Sequence, residues 1–308
     1  MPQARTPSAH TWFTEVKIAV TGGTGFVGTH CVRALLEAGH QVRVLARGRR
    51  RRPSRPEVVF VQGDVGDSTA LRNAFDDCQV VLHLAAIIRE RGRQTFDRVN
   101  RVGTENVVRA AREAEVQHLL QLSVIGAGPD PSLRYPESRW QAEQAVRGSG
   151  IGNTVLRSSL IFGRGDAFFT RFVTLIRYNP VVPIVGDGST PFQPISIEDV
   201  ARCILIALER GPSDHIHEIG GPEHLTYEQI VDTVMECIGK HRPKVHVPVT
   251  AMLPLAFLMD KVLPNPPVTP DQLRLLEQMN ITRLDAVASQ FGFLPQRLVD
   301  NCAYLNEY

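Results

Sequence analysis

Thr21-Gly22-Gly23-Thr24-Gly25-Phe26-Val27-Gly28 is the stretch on which the fold turns. Glycines 22, 25 and 28 satisfy GxxGxxG, and glycines 23, 25 and 28 satisfy GxGxxG. A tight strand-to-helix turn needs the first glycine, and the backbone can approach a pyrophosphate only where no side chain intervenes. The last glycine lets helix and strand pack closely, while free amides and the helix dipole face the anion. The context fits this role. A short β-rich run, Lys17–Thr21, precedes the loop, and Phe26, Val27, His30, Cys31, Ala34, Leu35 and Ala38 then mark one helical face that Gly39 stops. The loop therefore predicts dinucleotide binding, with Gly22, Thr24, Gly25, Phe26, Val27 and Gly28 around the phosphates.

Outward from the loop the chain alternates strand-like and helix-like segments. Gln41–Ala46, Val58–Gln62 and the apolar Val80–Ala86 read as strands, Val99–Ala114 as a helix and Leu119–Leu122 as a strand. Glu137–Arg147 reads as a helix and Thr154–Leu156 as a sixth strand. This rhythm predicts an α/β chain: a Rossmann-type doubly wound parallel sheet with a smaller, mainly helical C-terminal lobe. Residues 1–14 read as a loose tail and 15–165 as the dinucleotide-binding domain, completed by about 195–222. Residues 166–194 and 223–308 read as the small lobe for a substrate or partner, with Thr269 as an N-cap before Pro270.

Composition narrows the function classes. Of 308 residues, 43% are hydrophobic and 21% charged, which excludes a disordered chain, and no apolar run reaches bilayer length. Lysine and arginine number 34 against 32 acids, a balance that argues against an obligate nucleic-acid binder. Cys31, Cys78, Cys203, Cys237 and Cys302 are scattered and never form a CxxC pair, so each reads as a small buried apolar residue in a reducing compartment. The opening residues lack an apolar core of the secretory kind, and the expected location is the cytoplasm, with peripheral attachment to a membrane through a partner as an option.

The motifs resemble those of the short-chain dehydrogenase/reductase superfamily, in its extended and atypical branches, from Lys17 almost to the end. Thr21–Gly28 is similar to the family's TGxxGxxG loop. Gly63-Asp64-Val65 resembles the segment whose carboxylate meets adenine, and His83-Leu84-Ala85-Ala86 the strand lining the adenosine pocket. Val99-Asn100, Gly103-Thr104 and Asn106-Val107 are similar to the central helix, and Leu156-Arg157, Phe162-Gly163 and Ile197–Ala201 to later signatures. The resemblance thus implies cofactor contacts at Asp64, Val65, Leu84, Ala85, Ala86, Asn100, Tyr135 and Arg139. Pro254-Leu255, Pro266-Pro267, Pro270–Leu273 and Phe291-Gly292 resemble bacterial relatives of the nucleotide-binding accessory subunit of respiratory complex I.

The same resemblance implies a catalytic group. In that superfamily a serine ending the fifth strand orients the substrate oxygen, a tyrosine moves the proton, and a lysine four residues later lowers the tyrosine pKa. Ser123 and Tyr135 stand at the first two places, and Arg139 at the third. Positions i and i+4 share a helix face, so Arg139 can stabilise a tyrosinate or bridge ribose hydroxyls, but it does not readily release a proton into a relay. Ser158 also stands where the family often has proline.

The choice of dinucleotide rests on one position. NAD enzymes of this fold place an acid about twenty residues past the loop, against the ribose 2′-hydroxyl. Here Arg47 lies nineteen residues after Gly28, and no acid occurs between Glu37 and Glu57, so NADP(H) is expected over NAD(H). Arg47 opens a run with Arg49, Arg50, Arg51, Arg52 and Arg55, whose later members read as solvated loop.

Other signals carry less. His215, His217 and Glu218 lack a third ligand at metal spacing and read as half-buried strand residues, so no metal site is expected. Ala251–Leu263 is too short to span a bilayer and reads first as lobe core, second as a surface for a partner or membrane. Phe168, Phe169 and Phe172 read as core. Two functions follow: a dinucleotide-holding redox or assembly module that docks a protein partner, slightly favoured because Arg139 replaces lysine, and an NADP(H)-dependent oxidoreductase or epimerase/dehydratase acting on an alcohol or carbonyl with Tyr135 as acid/base. The substrate and oligomeric state are not encoded in any motif.

Overall fold

A computed structural model describes residues 16–48, 58–262 and 268–308. Its centre is a seven-stranded, all-parallel sheet. The strands are β1 (Lys17–Thr21), β2 (Gln41–Ala46), β3 (Val58–Gln62), β4 (Val80–His83), β5 (His118–Val124), β6 (Asn153–Ser158) and, later in the chain, Ile216–Ile219. The last is β11, because short strands β7 (Ile161–Phe162), β8 (Val182–Val185), β9 (Pro191–Phe192) and β10 (Ile195–Ser196) precede it. The sheet order is β11-β6-β5-β4-β1-β2-β3. Strand order reverses between β1 and β4, so the turns leaving these two neighbours diverge and open a crevice at their carboxyl ends.

Helices cover both faces. They are α1 (Phe26–Glu37), α2 (Ser68–Phe75), α3 (Val102–Glu113, entered through a π-helical turn, Asp97–Arg101), α4 (Arg134–Arg147), α5 (Phe168–Tyr178) and α6 (Ile197–Arg210). One face packs α1 and α6 on Ile18, Val20, Leu82, Leu120 and Leu156; the other packs α2, α3 and α4 on Ala19, Val81, Leu119 and Val155. Alternate residues of the same strands serve the two cores, as parallel strands buried on both sides require. Helix α2 was not foreseen: eight residues with an even polar mix, it holds because Asp67 caps it by accepting from the amides of Thr69 and Ala70. Helix α4 starts at Arg134, earlier than the expected Glu137, so Tyr135 belongs to its first turn.

A third apolar cluster joins α5 to α7 (Tyr227–Cys237), with Phe169, Phe172, Val173, Ile230 and Val234 buried in it. The two-residue strand β12 (Leu225–Thr226) and β13 (Lys244–Val247) flank α7, and α8 (Val249–Val262), α9 (Pro270–Leu275) and α10 (Ala286–Phe291) follow. Thr269 caps α9 in a reciprocal pair with Gln272.

Three readings of the sequence change. Cys237 and Cys302 form a disulfide with 6.0 Å between Cα atoms, tying α7 to the C-terminal segment, so only Cys31, Cys78 and Cys203 are buried free thiols. Their scattered spacing hid a pair that the fold brings together. Helix α8 is not lobe core: within it Val249 and Ala256 are buried, while Leu255, Phe257, Leu258 and Val262 are exposed. His215 precedes β11 and is exposed; His217, on the strand, is half-buried and bonded to Gln290 and Ser213. Among the described residues no group of three His, Cys, Asp or Glu gathers to hold a metal, and no helix is long and apolar enough to cross a membrane.

Candidate dinucleotide and active site

The crevice begins at the glycine turn. Gly22 sits at φ +74°, and a Cβ there would lie 2.7 Å from the Ala85 nitrogen and 2.8 Å from the Leu84 carbonyl carbon. The turn therefore nests against the β4 exit only because it carries no side chain. A Cβ on Gly28 would meet the Gly23 Cα at 2.6 Å, which fixes how closely α1 crosses β1. No side chain caps the first turn of α1. Thr24, Gly25 and Ala86 are exposed, while Phe26, Val27, Leu84 and Ala85 are half-buried around them.

A buried chain of hydrogen bonds links this turn to the helix beyond it. Thr104 donates to the Asn100 carbonyl at 2.6 Å, so its oxygen is left to accept from His83 Nε2–H at 2.9 Å. His83 Nδ1 then accepts from the Thr21 hydroxyl at 2.6 Å, and that oxygen takes the Ala85 amide at 3.3 Å. The pattern requires a neutral imidazole, and burial, with the nearby Arg139 charge second, holds the His83 pKa down to about 3. The Asn100 amide is occupied: it accepts from the Ile87 amide at 2.9 Å and donates to the Ile87 carbonyl at 3.0 Å and to Ser138 at 2.9 Å. It fixes the β4 exit loop against α4.

At the outer strands two of the expected contacts, Arg47 and Asp64, are open to solvent and a third, Val65, is not. Arg47, directly after β2, is exposed; Arg49, Arg50, Arg51, Arg52 and Arg55 lie outside the described residues. Asp64 is exposed, with one oxygen accepting from the Gly66 amide at 2.8 Å. Val65 is buried beneath α3, and its carbonyl accepts from Asn106.

On α4, Tyr135, Arg139 and Glu143 recur every four residues and share one face, turned toward the sheet. Tyr135 is half-buried, its ring 5.7 Å from that of Phe96. Burial pushes its phenol above the ordinary value, and Arg139 opposes the rise. Arg139 is 2% exposed; it donates to the Leu122 carbonyl, while its Nε and Nη1 find no partner among the described residues. A buried guanidinium with two unanswered N–H-bearing nitrogens beside a phenol fits a polar group such as a ribose diol. Together with the side-chain-free cradle at Gly22, it suits a nicotinamide dinucleotide.

Ser123 is brought to the same face but points elsewhere. Fully buried, it donates to Glu143 Oε1 at 2.5 Å, and Arg157 grips the same carboxylate through Nε at 3.0 Å and Nη2 at 2.6 Å. Gln121, in register with His83 and also fully buried, extends this polar layer. The sequence reading missed Glu143, although its place eight residues after Tyr135 on an amphipathic helix was a usable signal. Beside Tyr135 a recess lies between Leu133, Asp271 and Leu275, adjoining a cleft of about 440 Å³ between Pro131–Arg134 and Arg274, Glu277 and Gln278.

A reversed-order parallel sheet, a glycine cradle at its switch point and a phenol–cation pair at its edge define a dinucleotide-binding oxidoreductase fold. The chain belongs to the NAD dependent epimerase/dehydratase family, which it matches over residues 18–220. It is 32% identical over 251 residues to a ceramide reductase of Caulobacter vibrioides, covering 79% of this chain and 77% of that protein. It is 27% identical over 287 residues to the mitochondrial NADH dehydrogenase [ubiquinone] 1 alpha subcomplex subunit 9 of Arabidopsis thaliana, covering 88% and 70%. The crystal structure of gox2253 superposes with a TM-score of 0.75 at 23% identity, over 94% of this chain and 96% of that one, which shows the shared fold.

Proposed function

We propose that this protein is an NADP(H)-dependent oxidoreductase that interconverts a hydroxyl and a ketone on a bulky apolar substrate, with Tyr135 exchanging the proton. The observation that carries this reading is Arg139, buried beside Tyr135 with two nitrogens unanswered among the described residues. When bound, the dinucleotide supplies or accepts a hydride. Gly22–Gly28 would hold its pyrophosphate, Leu84–Ala86 and Asp64 its adenosine, Arg139 its nicotinamide ribose and Arg47 a 2′-phosphate.

Tyr135 does the rest. Burial keeps the phenol protonated, so in reduction it gives its proton to the substrate oxygen and is reprotonated from solvent. Burial lowers the Arg139 pKa, with Tyr135 and Glu143 opposing, and the guanidinium, which holds its proton more firmly than a lysine would, stabilises the tyrosinate left behind. The recess beside Tyr135 brings Leu133 and Leu275 together with the charged Arg134, Asp271 and Arg274, so the apolar class of substrate is supported instead by the similarity to a protein named for a lipid, ceramide.

One observation favours the alternative of a dinucleotide-holding module docked on a protein partner. The Ser123 hydroxyl is spent on Glu143, leaving Tyr135 without the serine expected to share the substrate oxygen. The similarity to a complex I subunit points the same way. A single experiment separates the two: NADPH oxidation by the purified protein with long-chain keto substrates, for the native chain and Tyr135→Phe. A loss of about a hundredfold or more in turnover upholds Tyr135 as the acid. Tightly held NADPH that no carbonyl compound oxidises upholds the module. Arg47→Ala, in either case, should weaken NADPH by about tenfold and leave NADH unchanged; equal affinities throughout would remove the 2′-phosphate assignment.

A further inference from the structure

Helix α8 is apolar on the side it shows to water. Val249 and Ala256 face the protein, whereas Ala251, Leu255, Leu258 and Val262 follow one another at i, i+4, i+7 and i+11 along the opposite side, all exposed. Relative exposures of 57% for Leu255, 59% for Leu258 and 69% for Val262 describe a continuous stripe rather than scattered single residues. Phe257, 55% exposed, extends it, with Lys261 4.3 Å above its ring. A helix that is apolar all round and yet lies at a surface needs something to cover it.

The surroundings say what. Asp260 pairs with Arg89, which fastens α8 to the loop leaving β4. That loop also carries exposed Ile88, Arg91 and Arg93. Its acid, Glu90, is engaged by Arg134 at 2.6 Å. Basic side chains thus stand beside an apolar stripe whose neighbouring acids, Asp260 and Glu90, are each paired with an arginine. Helix α8 supplies the apolar side chains and Lys261, and the loop after β4 supplies Arg91 and Arg93, a pairing that suits the acyl chains and anionic headgroups of a bilayer interface. Fourteen residues are too few to span the bilayer, so the helix lies along its surface.

We infer that α8 and the β4 exit loop form a docking surface for an anionic lipid bilayer. The surface is continuous with the candidate site. Helix α8 packs on α9, whose Asp271 pairs with Arg134 at the mouth beside Tyr135. Seating α8 on lipid therefore turns that mouth toward the membrane. The inference stands whether the site reduces a substrate or only holds a dinucleotide, since its test reads membrane binding alone.

The test is vesicle co-sedimentation of the full chain with phosphatidylglycerol-containing and purely phosphatidylcholine vesicles, beside Leu255→Ser/Leu258→Ser and, separately, Arg93→Glu/Lys261→Glu. The expected result is binding to the anionic vesicles that weakens about tenfold in either double variant and with added salt. Thermal midpoints of the variants should match the native chain. Absence of native binding to anionic vesicles overturns the inference. So does a native dimer that the serine variant dissociates, which would make a second copy the cover. A large fall in melting temperature for the serine variant, or its failure to fold, overturns it too, because the stripe would then be packed within the chain.

Discussion

Helices α4 and α8 are both fourteen residues long, and each inverts the ordinary relation between polarity and burial. The polar one, RYPESRWQAEQAVR, buries Ser138, Arg139 and Glu143 against the sheet. The apolar one, VTAMLPLAFLMDKV, leaves Leu255, Phe257, Leu258 and Val262 in water. Hydrophobic patterning assigns a helix its inner face only when burial is the sole demand on it. Under α4 the buried Glu143 is gripped by Arg157, whereas the buried Arg139 keeps two nitrogens without a partner among the described residues. On α8 nothing among the described residues covers Leu255, Leu258 and Val262.

The sharpest way to break the α4 half of this contrast is to remove its counter-ion. Glu143 balances Arg157 directly and stands one turn from Arg139. Glu143→Gln keeps the shape but leaves the half-buried Arg157 with only the more distant Glu218, at 4.0 Å, and removes the carboxylate charge one turn from the buried Arg139. The expected loss is about 3–5 kcal/mol, read as a fall in the urea midpoint. Replacing the pair together, Glu143→Leu with Arg157→Leu, should recover most of that loss, because no buried charge is then stranded. If the single change is silent, the buried layer is not under electrostatic constraint and the contrast fails.

The sheet half was legible because its signals are local. A glycine loop between a strand and an amphipathic helix implies one topology, and the sheet order delivered it. Arg47 is placed by its distance from the loop, while Tyr135 and Arg139 are singled out by the resemblance to the superfamily, and only their shared helix face follows from spacing. What could not be read is what lies across the sheet from a residue. Ser123 looked free at a strand end, yet Glu143 from α4 captures its hydroxyl. Cys237 and Cys302 stand 65 residues apart and meet only because the last segment folds back on α7. An apolar run such as 251–263 has the same pattern whether a core or a membrane covers it.

A smaller effect tests the neutral histidines of the sheet. In the unfolded chain a histidine takes up its proton near pH 6.5. Folded His83 resists until about 3, and His118, chiefly through burial, until about 4. Between those limits the unfolded state binds more protons, so stability falls as the pH drops below about 6.5. Each ring contributes at most about 1.4 kcal/mol per pH unit, a slope that ends near its folded pKa. Chemical denaturation between pH 7 and 5 should show this slope, and His83→Gln should remove roughly half of it. A slope unchanged by that substitution would place the proton uptake elsewhere and detach His83 from the buried layer under α4.

The smallest expected effect is the most discriminating for α8. Leu258→Ser should alter unfolding free energy by no more than about 0.5 kcal/mol, because the side chain already stands in water. Phe169→Ala, in the cluster beneath α5, should cost about 3–5 kcal/mol through the cavity it leaves. Both residues are large, apolar and on helices, so composition alone gives them equal weight. A Leu258→Ser penalty approaching that of Phe169→Ala would mean that α8 is packed in solution, and the exposed stripe would lose its claim to a lipid surface. A negligible penalty leaves an apolar face that folding does not need, and selection for an interaction outside the chain becomes the reason for its leucines.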